Sequence, residues 1–434
     1  MKQAGREARP AGAASGPTGA VRSPAGWLED LFVVAALLAF AGAFSSLVSG
    51  ATTAATDSNP AVQLLFGLIY AVTLVLVVRR RAAFTRYLLA EKVLVALVAL
   101  ALLSIVWAAL PAVAARRAVA LAGTTLFGVY LAMRYSLGRL LEIVGWLGVI
   151  ALTASLVAAL AFPAYGVMHD RLYAGAWRGV FVHKDVLGRV AALAAVTFLL
   201  LALRPGPRRR LFMAALPLAA LLLVLSQSAT GYVVLAVCVA VLPALRVLRW
   251  PRKRMLAGAA IAAGALVVAG AVVALFAGAI LGRSFTLTGR TSLWQLCLEA
   301  VGRRPWLGYG YGSFWNGLDG PSARIWAQLT WQPPNAHNGA IDILLGVGAV
   351  GLALFLVVLV RAVVASARAY RSGLGHDAVW PLIFFVFLVV SNITYTTMFL
   401  RNDIYWVLQV ALTLQIVMRQ REGDGEAALA DTRT

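Results

Sequence analysis

The sequence predicts an all-α integral membrane protein. Of its 434 residues, 61% are hydrophobic and only 13% are charged, and the mean hydropathy is +0.84. A soluble core of this size does not need so much apolar surface. Because the bilayer interior offers the backbone no hydrogen-bond partner from water, the long apolar runs of such a chain must be helices.

The apolar residues form about twelve runs, most of them near the ~17–25 residues that a helix needs to cross a bilayer. A long polar segment, about 281–338, separates the ninth run from the tenth. We expect one membrane domain over 26–420, preceded by a disordered cytoplasmic tail (1–25) and followed by a second cytoplasmic tail (421–434). The predicted spans are 31–48, 61–78, 93–110, 118–133, 140–161, 186–203, 211–227, 231–248, 255–280, 339–360, 379–397 and 403–418.

The net charge of +21 is distributed unevenly across the membrane. Roughly two thirds of the 38 Lys and Arg fall in the tails and in the short loops after every second predicted span. This positive-inside pattern places those loops and both termini in the cytoplasm, which predicts a multi-pass membrane protein. Basic residues spread over short loops disfavour nucleic acid as a partner and favour membrane lipids.

Two sizeable segments then lie on the outer, periplasmic side, at about 162–185 and 281–338. The outer regions carry more cations than acids, although topology rules disfavour cations there. The excess predicts an anionic ligand, while contact with lipid headgroups is the alternative for most of these side chains taken singly. The outer cations are Arg116, Arg117, Arg171, Arg178, Lys184, Arg189, Arg283, Arg290, Arg303, Arg304, Arg324 and Arg401.

Arg189 lies about one turn inside the sixth predicted span, four residues after Asp185. An arginine at that depth costs about 3 kcal/mol unless it is paired or faces a polar cavity. An ion pair with Asp185 across one helical turn is one interpretation. Bidentate contact with a phosphate is the other.

Arg290 and His337 are the strongest catalytic candidates from the sequence. Arg290 precedes an amphipathic stretch that is typical of a short helix lying on the membrane, where a surface arginine would be unremarkable. His337 stands at the outer start of the tenth span, beside Asn338, which is the more natural helix cap. A histidine has a reference pKa near ~6.5, so it can act as a general base, or it can simply be a hydrogen-bonding neighbour of the cap.

The same segment is rich in aromatic residues, and it lacks the motifs of nucleotide and metal sites. No GxxxxGK[ST] loop, HExxH motif, CxxC pair or Asp-x-Asp pattern is present, so we expect a reaction without metal or cofactor. The aromatic rings could stack on sugars or anchor the chain at the interface. They are Trp294, Trp306, Tyr309, Tyr311 and Trp315.

The order of these motifs resembles that of the O-antigen ligase and polymerase superfamily. Gly-Arg at 289–290, PWLGYGYGSF at 305–314 and His-Asn at 337–338 follow one another, and GVGAVGL comes next. GVFVHKDVLGRV (179–190) and the serine-rich turn SQSATGY (226–232) are similar to further family features. The family often has an arginine where this chain has Ala229, and Arg189 could take that role.

The resemblance implies a GT-C-like glycosyltransferase that inverts configuration and takes its glycan from undecaprenyl pyrophosphate. The acceptor is a sugar hydroxyl of the lipid A core in ligases, which we favour. It is another lipid-linked repeat in polymerases, and a Ser or Thr side chain in the protein-glycosylating branch. A transporter of anionic lipids is a separate alternative, disfavoured because the chain lacks related halves. The predicted roles are His337 as base, Arg290 with Arg189 or Lys184 on the pyrophosphate, and Asn338, Trp294, Tyr309 and Tyr311 as substrate contacts.

Overall fold

A computed structural model describes residues 24–44, 59–249, 290–372 and 378–431. Within these ranges the structure is helical, and the isolated Val167–Trp177 bridge is its only β-type pairing, so the all-α prediction is confirmed. The α-helices are α1 (Pro24–Phe40), α2 (Pro60–Val78), α3 (Arg81–Ala90), α4 (Lys92–Leu103), α5 (Pro111–Arg134), α6 (Leu137–Ala161), α7 (Pro163–Gly166), α8 (Lys184–Ala202), α9 (Arg209–Leu225), α10 (Ala229–Ala244), α11 (Arg290–Arg303), α12 (Ala323–Gln328), α13 (Gly339–Arg371), α14 (Val379–Ser391) and α15 (Ile404–Asp431).

Five of the described helices are long and apolar enough to cross a membrane: α2, α5, α6, α8 and α13. Helix α3 and the helical segment Lys92–Trp107, which contains α4, meet at Glu91 with an angle of 93° between them. They would make a sixth span if they are counted as one broken span. Helices α1 and α9 have 17 residues each, about 25 Å at 1.5 Å per residue, which is short of a ~30 Å hydrocarbon core. The predicted count of twelve is therefore not confirmed, and the ninth predicted span, 255–280, lies outside the described residues.

Helix α8 lies at the centre of the bundle, packed against α6, α9, α10 and α14. In its most apolar window 83% of the residues are buried, against 28% for α2, most of whose leucines face outward. Small residues allow the close packing: a Cβ on Gly148 of α6 would come within 2.9 Å of Ala194. The centre of the fold is therefore the helix that begins at Lys184 and carries Arg189.

Acidic residues of α1 pair with basic residues that the sequence places on the cytoplasmic side. Glu29 lies 2.9 Å from the guanidinium of Arg80 and 2.6 Å from that of Arg134. Asp30 lies 3.0 Å from the guanidinium of Arg139. These pairs tie α1 to the start of α3 and to the α5–α6 connection, so part of the positive charge there is neutralised inside the protein.

Residues 305–314, called here the glycine-rich segment, run alongside a break in α13. The break is at Gly348 (φ 68°, ψ −167°), and a Cβ there would lie 2.2 Å from the backbone of Trp306. Backbone hydrogen bonds join the two, with Tyr309 N donating to Leu345 O at 2.8 Å and Ala349 N to Pro305 O at 2.8 Å. The glycines of the segment adopt positive φ, as expected for tight turns and close backbone approach: Gly308 (64°), Gly310 (92°) and Gly312 (68°).

Candidate active site

The loop 329–338, called the His337 loop, presents His337 in a left-handed backbone conformation, φ 50°. Its shape is set by hydrogen bonds on both sides. The indole of Trp294 on α11 donates to Ala336 O at 2.9 Å, and His337 N donates to the side chain of Asn335 at 2.9 Å. Non-glycine residues rarely adopt positive φ, and such strain concentrates at functional sites.

Asn338 caps α13, as the sequence predicted. Its Oδ1 accepts from Ala340 N and Ile341 N, and its Nδ2 donates to Ile393 O at 3.3 Å. These bonds give Asn338 a positioning role, and its contact with substrate stays a prediction.

The carboxylate of Asp342, one turn into α13, holds the His337 loop in place through hydrogen bonds. It accepts from Ala336 N at 3.1 Å, from the indole of Trp315 at 2.6 Å and from the hydroxyl of Thr396. One acid thus joins the His337 loop, Trp315 just after the glycine-rich segment, and the 392–403 turn. The sequence carries no local signal for this role, since Asp342 is one of several acids on the predicted outer side.

The imidazole of His337 lies between two aromatic rings, 5.6 Å from Trp331 and 6.0 Å from Tyr395, measured between ring centroids. Both ring nitrogens are buried and have no hydrogen-bond partner among the described residues. Burial, followed by the positive charge of Arg290, lowers the pKa of His337 to about 4. The ring is therefore neutral at physiological pH and has a lone pair that can accept a proton.

Arg290 is the first residue of α11, so the predicted short helix is present and begins at that residue. Its charge is the largest electrostatic influence on His337, ahead of those of Asp185, His183 and Arg189. The fold thus brings together residues that are separated by more than a hundred positions in sequence.

Arg189 is buried, with 4% of its surface exposed, and stacks on an aromatic ring. Its guanidinium carbon lies 3.4 Å from the centroid of Tyr395, and its Nε donates to Asp185 O at 3.3 Å. The expected ion pair with the Asp185 carboxylate is not found among the described residues. The Nη1 atom is buried and has no partner among them. A cation–π contact therefore holds Arg189 beside the ring that flanks His337.

Lys184 is the residue that pairs with Asp185. Its Nζ lies 3.2 Å from the Asp185 carboxylate and donates to Gln227 O at 3.0 Å. Gln227 belongs to the serine-rich turn, where Ser228 caps α10. Because two of its donors are occupied and only 3% of its surface is exposed, Lys184 mainly locks this turn to the start of α8.

The predicted sugar-stacking residues divide into three groups. Tyr309 is buried and its hydroxyl donates to Ala300 O at 2.9 Å, whereas Trp294 is partly buried against the same apolar cluster and its indole donates to the His337 loop. Tyr311 and Trp315 line a cavity beside His337. Trp306 is 71% exposed and is the ring that fits interfacial anchoring best.

The cavity measures about 570 Å³ and is bounded by α2, α5, the glycine-rich segment and the 392–403 turn. His337 forms part of its wall, and so do Arg116, Arg117 and Arg401. Neither Arg189 nor Arg290 is among its described lining residues. In the sequence, the only signal for the three lining arginines is the excess of cations on the predicted outer side.

Several non-glycine residues with positive φ lie around the same cavity. Positive φ occurs at His337, at Phe399 (53°) and Asn402 (55°) of the 392–403 turn, and at Gln227 (49°). The first three line the cavity, and the carbonyl of the fourth accepts from Lys184. The 392–403 turn also supplies Tyr395, which the sequence analysis did not single out.

Comparison with known proteins supports the resemblance seen in the motifs. Residues 213–356 match a family model described as O-Antigen ligase. A curated relative, the exopolysaccharide production protein ExoQ of Rhizobium meliloti (strain 1021), is 30% identical over 200 residues. That match covers 42% of this chain and 45% of the relative, so it spans less than half the length of each.

Proposed function

We propose that this chain, a member of the O-antigen ligase and polymerase superfamily, is a glycosyltransferase that moves a glycan from a polyprenyl pyrophosphate to a hydroxyl of a second glycan. One observation carries the proposal. An imidazole whose two nitrogens are unengaged by described residues lies in the wall of a cavity, and the charge of Arg290 helps to lower its pKa. The family match over 213–356 includes both residues.

In the proposed reaction His337 removes the proton from the acceptor hydroxyl. The hydroxyl oxygen attacks the anomeric carbon of the donor glycan, and the bond from that carbon to the phosphate oxygen breaks. The bonding electrons leave with the pyrophosphate, which stays on the polyprenyl chain, and a single displacement inverts the anomeric centre. General-base catalysis of this kind contributes ~10²–10⁴-fold.

The leaving pyrophosphate gains negative charge, and Arg290 is placed to stabilise it. Its guanidinium can donate two parallel hydrogen bonds to phosphate oxygens, and the start of α11 adds the positive end of a helix dipole. We propose that Arg189, which is stacked on Tyr395, adds positive charge that helps to stabilise the pyrophosphate. We propose that Lys184 acts by holding the serine-rich turn in place. Loss of one positioned donor costs on the order of 3 kcal/mol of barrier height.

We propose undecaprenyl pyrophosphate as the donor carrier, a sugar of the lipid A core as the acceptor, and the periplasmic face of the inner membrane as the location. A second candidate is polymerisation, in which the acceptor is another lipid-linked glycan. The relative whose name is exopolysaccharide production protein favours this second candidate.

The test is transfer by purified protein in liposomes, without ATP and with a chelator present. The donor is a glycan on undecaprenyl pyrophosphate, and the acceptor is either core-containing lipid A or a second lipid-linked glycan. We expect product with one acceptor, and we expect His337→Ala to lower turnover at least about a hundredfold.

His169→Ala is the matched control, because His169 is an exposed histidine of the 162–185 segment and should leave turnover unchanged. Near-normal transfer by purified His337→Ala would refute the base assignment. A strict requirement for a divalent cation would refute the metal-free route.

A further inference from the structure

A second cavity, called here the α4 groove, lies along helix α4 and shares no described lining residue with the cavity beside His337. Its volume is about 220 Å³, and its lining comes from α3, α4 and α5, with Glu91 and with Leu414 of α15. It follows α4 from Glu91 to Leu102, about 16 Å at 1.5 Å per residue. This length is close to half of a ~30 Å hydrocarbon core, so the groove matches the depth of one leaflet.

The walls of the α4 groove are apolar along most of its length. Val98 and Leu126 are among the lining side chains, and the hydroxyl of Thr125 is satisfied inside the protein by donation to Leu121 O at 2.8 Å. Val95 also lines the groove and is 41% exposed, so the groove opens towards the surroundings of α4, which in a membrane protein are lipid tails. A hydrocarbon chain is the ligand that such a surface favours.

The end of the groove at Glu91 is bordered by cations. Nε of Arg361, on α13, donates to Glu91 Oε2 at 3.1 Å, and Arg421 of α15 donates to Ala90 O at 2.7 Å. The Glu91 side chain is fully buried, whereas half of the Arg361 side chain is exposed. The ion pair therefore neutralises the acid and leaves the two amino groups of the Arg361 guanidinium without a partner among the described residues.

Two further arginines lie around Tyr87, the lining residue one helical turn before Glu91. The charges of Arg86 and Arg419 act on the Tyr87 hydroxyl, and so does that of Glu422. Arg86 is exposed, and Arg419 is partly exposed. Cations from α3, α13 and α15 therefore meet at one end of an apolar groove, where they outnumber the acids.

The charge pattern of the sequence assigns this end to the cytoplasmic side. Arg86, Arg361 and Arg419 follow the second, tenth and twelfth predicted spans, and the segments after these spans are predicted to be cytoplasmic. The net positive charge fits a lipid whose headgroup is net negative. A zwitterionic headgroup brings a cation of its own, which the arginines repel.

We propose that the α4 groove binds one acyl chain of an anionic phospholipid of the cytoplasmic leaflet. The lipid phosphate lies at the Glu91 end, where Arg86, Arg419 and the amino groups of Arg361 bind it. The site is separate from the proposed transferase site, and the inference does not depend on the transferase function.

The lipid would pack along a helix that also reaches the candidate active site. At the far end of α4, Ser104 Oγ accepts from Tyr311 N at 2.8 Å, and the indole of Trp107 donates to Leu307 O at 3.0 Å. These bonds hold the glycine-rich segment. The bound acyl chain and the glycine-rich segment therefore contact opposite ends of one helical unit, 92–107.

The experiment is photocrosslinking of purified full-length protein in vesicles of phosphatidylcholine. The vesicles contain a small, equal fraction of a probe lipid, either phosphatidylglycerol or phosphatidylcholine, with the same diazirine-bearing acyl chain. Mass spectrometry locates the adducts after irradiation. Each cation near an anionic headgroup contributes about fivefold in affinity, so the phosphatidylglycerol probe should give at least about fivefold more adduct on residues 92–103 than the phosphatidylcholine probe.

Arg86→Gln/Arg419→Gln should reduce this preference to within about twofold, because the cations beside Tyr87 are removed. Arg86→Lys/Arg419→Lys keeps the charge and should keep most of the preference. The matched control is Arg210→Gln/Arg246→Gln, which removes two exposed arginines elsewhere on the predicted cytoplasmic side and should keep the full preference.

A third variant tests the position of the acyl chain. Ala99 and Ala122 line the groove from α4 and α5, so Ala99→Leu/Ala122→Leu narrows it. Adducts of both probes on 92–103 should fall at least about fivefold, while adducts on α2, which faces outward elsewhere, should stay unchanged.

Equal adducts from the two probes in wild type would show ordinary bilayer lipid at this surface and overturn the proposal. A preference that survives in the double glutamine variant would overturn the role of the arginines. Unchanged adducts in the narrowed variant would overturn the placement of the acyl chain in the groove.

Discussion

The imidazole of His337 is kept neutral by two neighbouring features, its burial and the charge of Arg290. A low pKa keeps the ring unprotonated but also makes it a weak base, because proton transfer is best when the pKa lies near the working pH. A bound pyrophosphate would offset the charge of Arg290 and raise the pKa of His337 towards its usual value. Donor binding would in this way strengthen the base.

This coupling gives a pH prediction. The profile of kcat/KM reports the free enzyme, and its acid limb should fall only as the pH approaches about 4, since His337 is protonated below its pKa. The profile of kcat reports the substrate complex, and its acid limb should lie at higher pH. Arg290→Gln should shift the kcat/KM limb upward, towards ~6.5. Identical acid limbs in wild type and variant would contradict the coupling.

The guanidinium of Arg290 can be tested separately from its charge. Arg290→Lys keeps one positive charge and removes the planar pair of donors that matches a phosphate. We expect turnover to fall about tenfold or more, with the kcat/KM acid limb near its wild-type position, because the charge beside His337 remains. Turnover within twofold of wild type, measured in the liposome assay, would show that Arg290 acts only as a point charge.

At the residue scale, motif order located His337, Arg290 and the Asn338 cap, because each lies at a helix start that local sequence defines. The sequence could not show in the same way which of the aromatic side chains are buried. The sequence does not distinguish the roles of Trp294 and Trp315, yet the indole of Trp294 supports the His337 loop and that of Trp315 lines the cavity. Tyr395 had no local signal, since its importance comes from Arg189 on a distant helix.

The glycine-rich segment and α13 form one unit through the break at Gly348. The segment fits against the helix because no Cβ stands between Gly348 and the backbone of Trp306. The break also frees Leu345 O for Tyr309 N. The sequence predicted a span at 339–360 and tight turns at the glycines, but the contact between them depends on tertiary structure.

Gly348→Ala should destabilise the protein. Alanine at φ 68° and ψ −167°, a region that is essentially restricted to glycine, costs on the order of 1–3 kcal/mol, and its methyl group would also overlap the Trp306 backbone. We expect a fall in Tm of at least about 3 °C in detergent. Gly302→Ala is the control, since nothing lies within 4 Å of a Cβ at this position of α11, and its Tm should not fall. An unchanged Tm for Gly348→Ala would show that the segment is not anchored there.

At the scale of the whole molecule, the basic loops predict the orientation in the membrane. The structure places the α1 acids beside their arginine partners, away from His337. Which of these two places faces the cytoplasm follows only from the charge pattern. Hydropathy identified most of the apolar helices. It could not show the 93° bend at Glu91, because a bent pair and a straight span have the same composition.

Cysteine labelling checks the orientation. Gly302 on α11 and Gly206 in the α8–α9 connection have open space around them, and the native Cys238 and Cys297 are buried, so the background should be low. In intact spheroplasts a membrane-impermeant maleimide should label Gly302→Cys and leave Gly206→Cys unlabelled until the membrane is permeabilised. The reverse pattern would invert the assignment of the inner and outer faces.

The burial of α8 has a consequence for biogenesis. In the finished protein Lys184 pairs with Asp185, and Arg189 stacks on Tyr395 of the 392–403 turn, while α9 and α10 pack against the helix that carries them. A ribosome makes α8 before Tyr395, α9 and α10 exist, and isolated charges within a bilayer are expensive. We therefore expect a nascent chain truncated shortly after α8 to be held less firmly by the membrane than one that extends beyond the last helix.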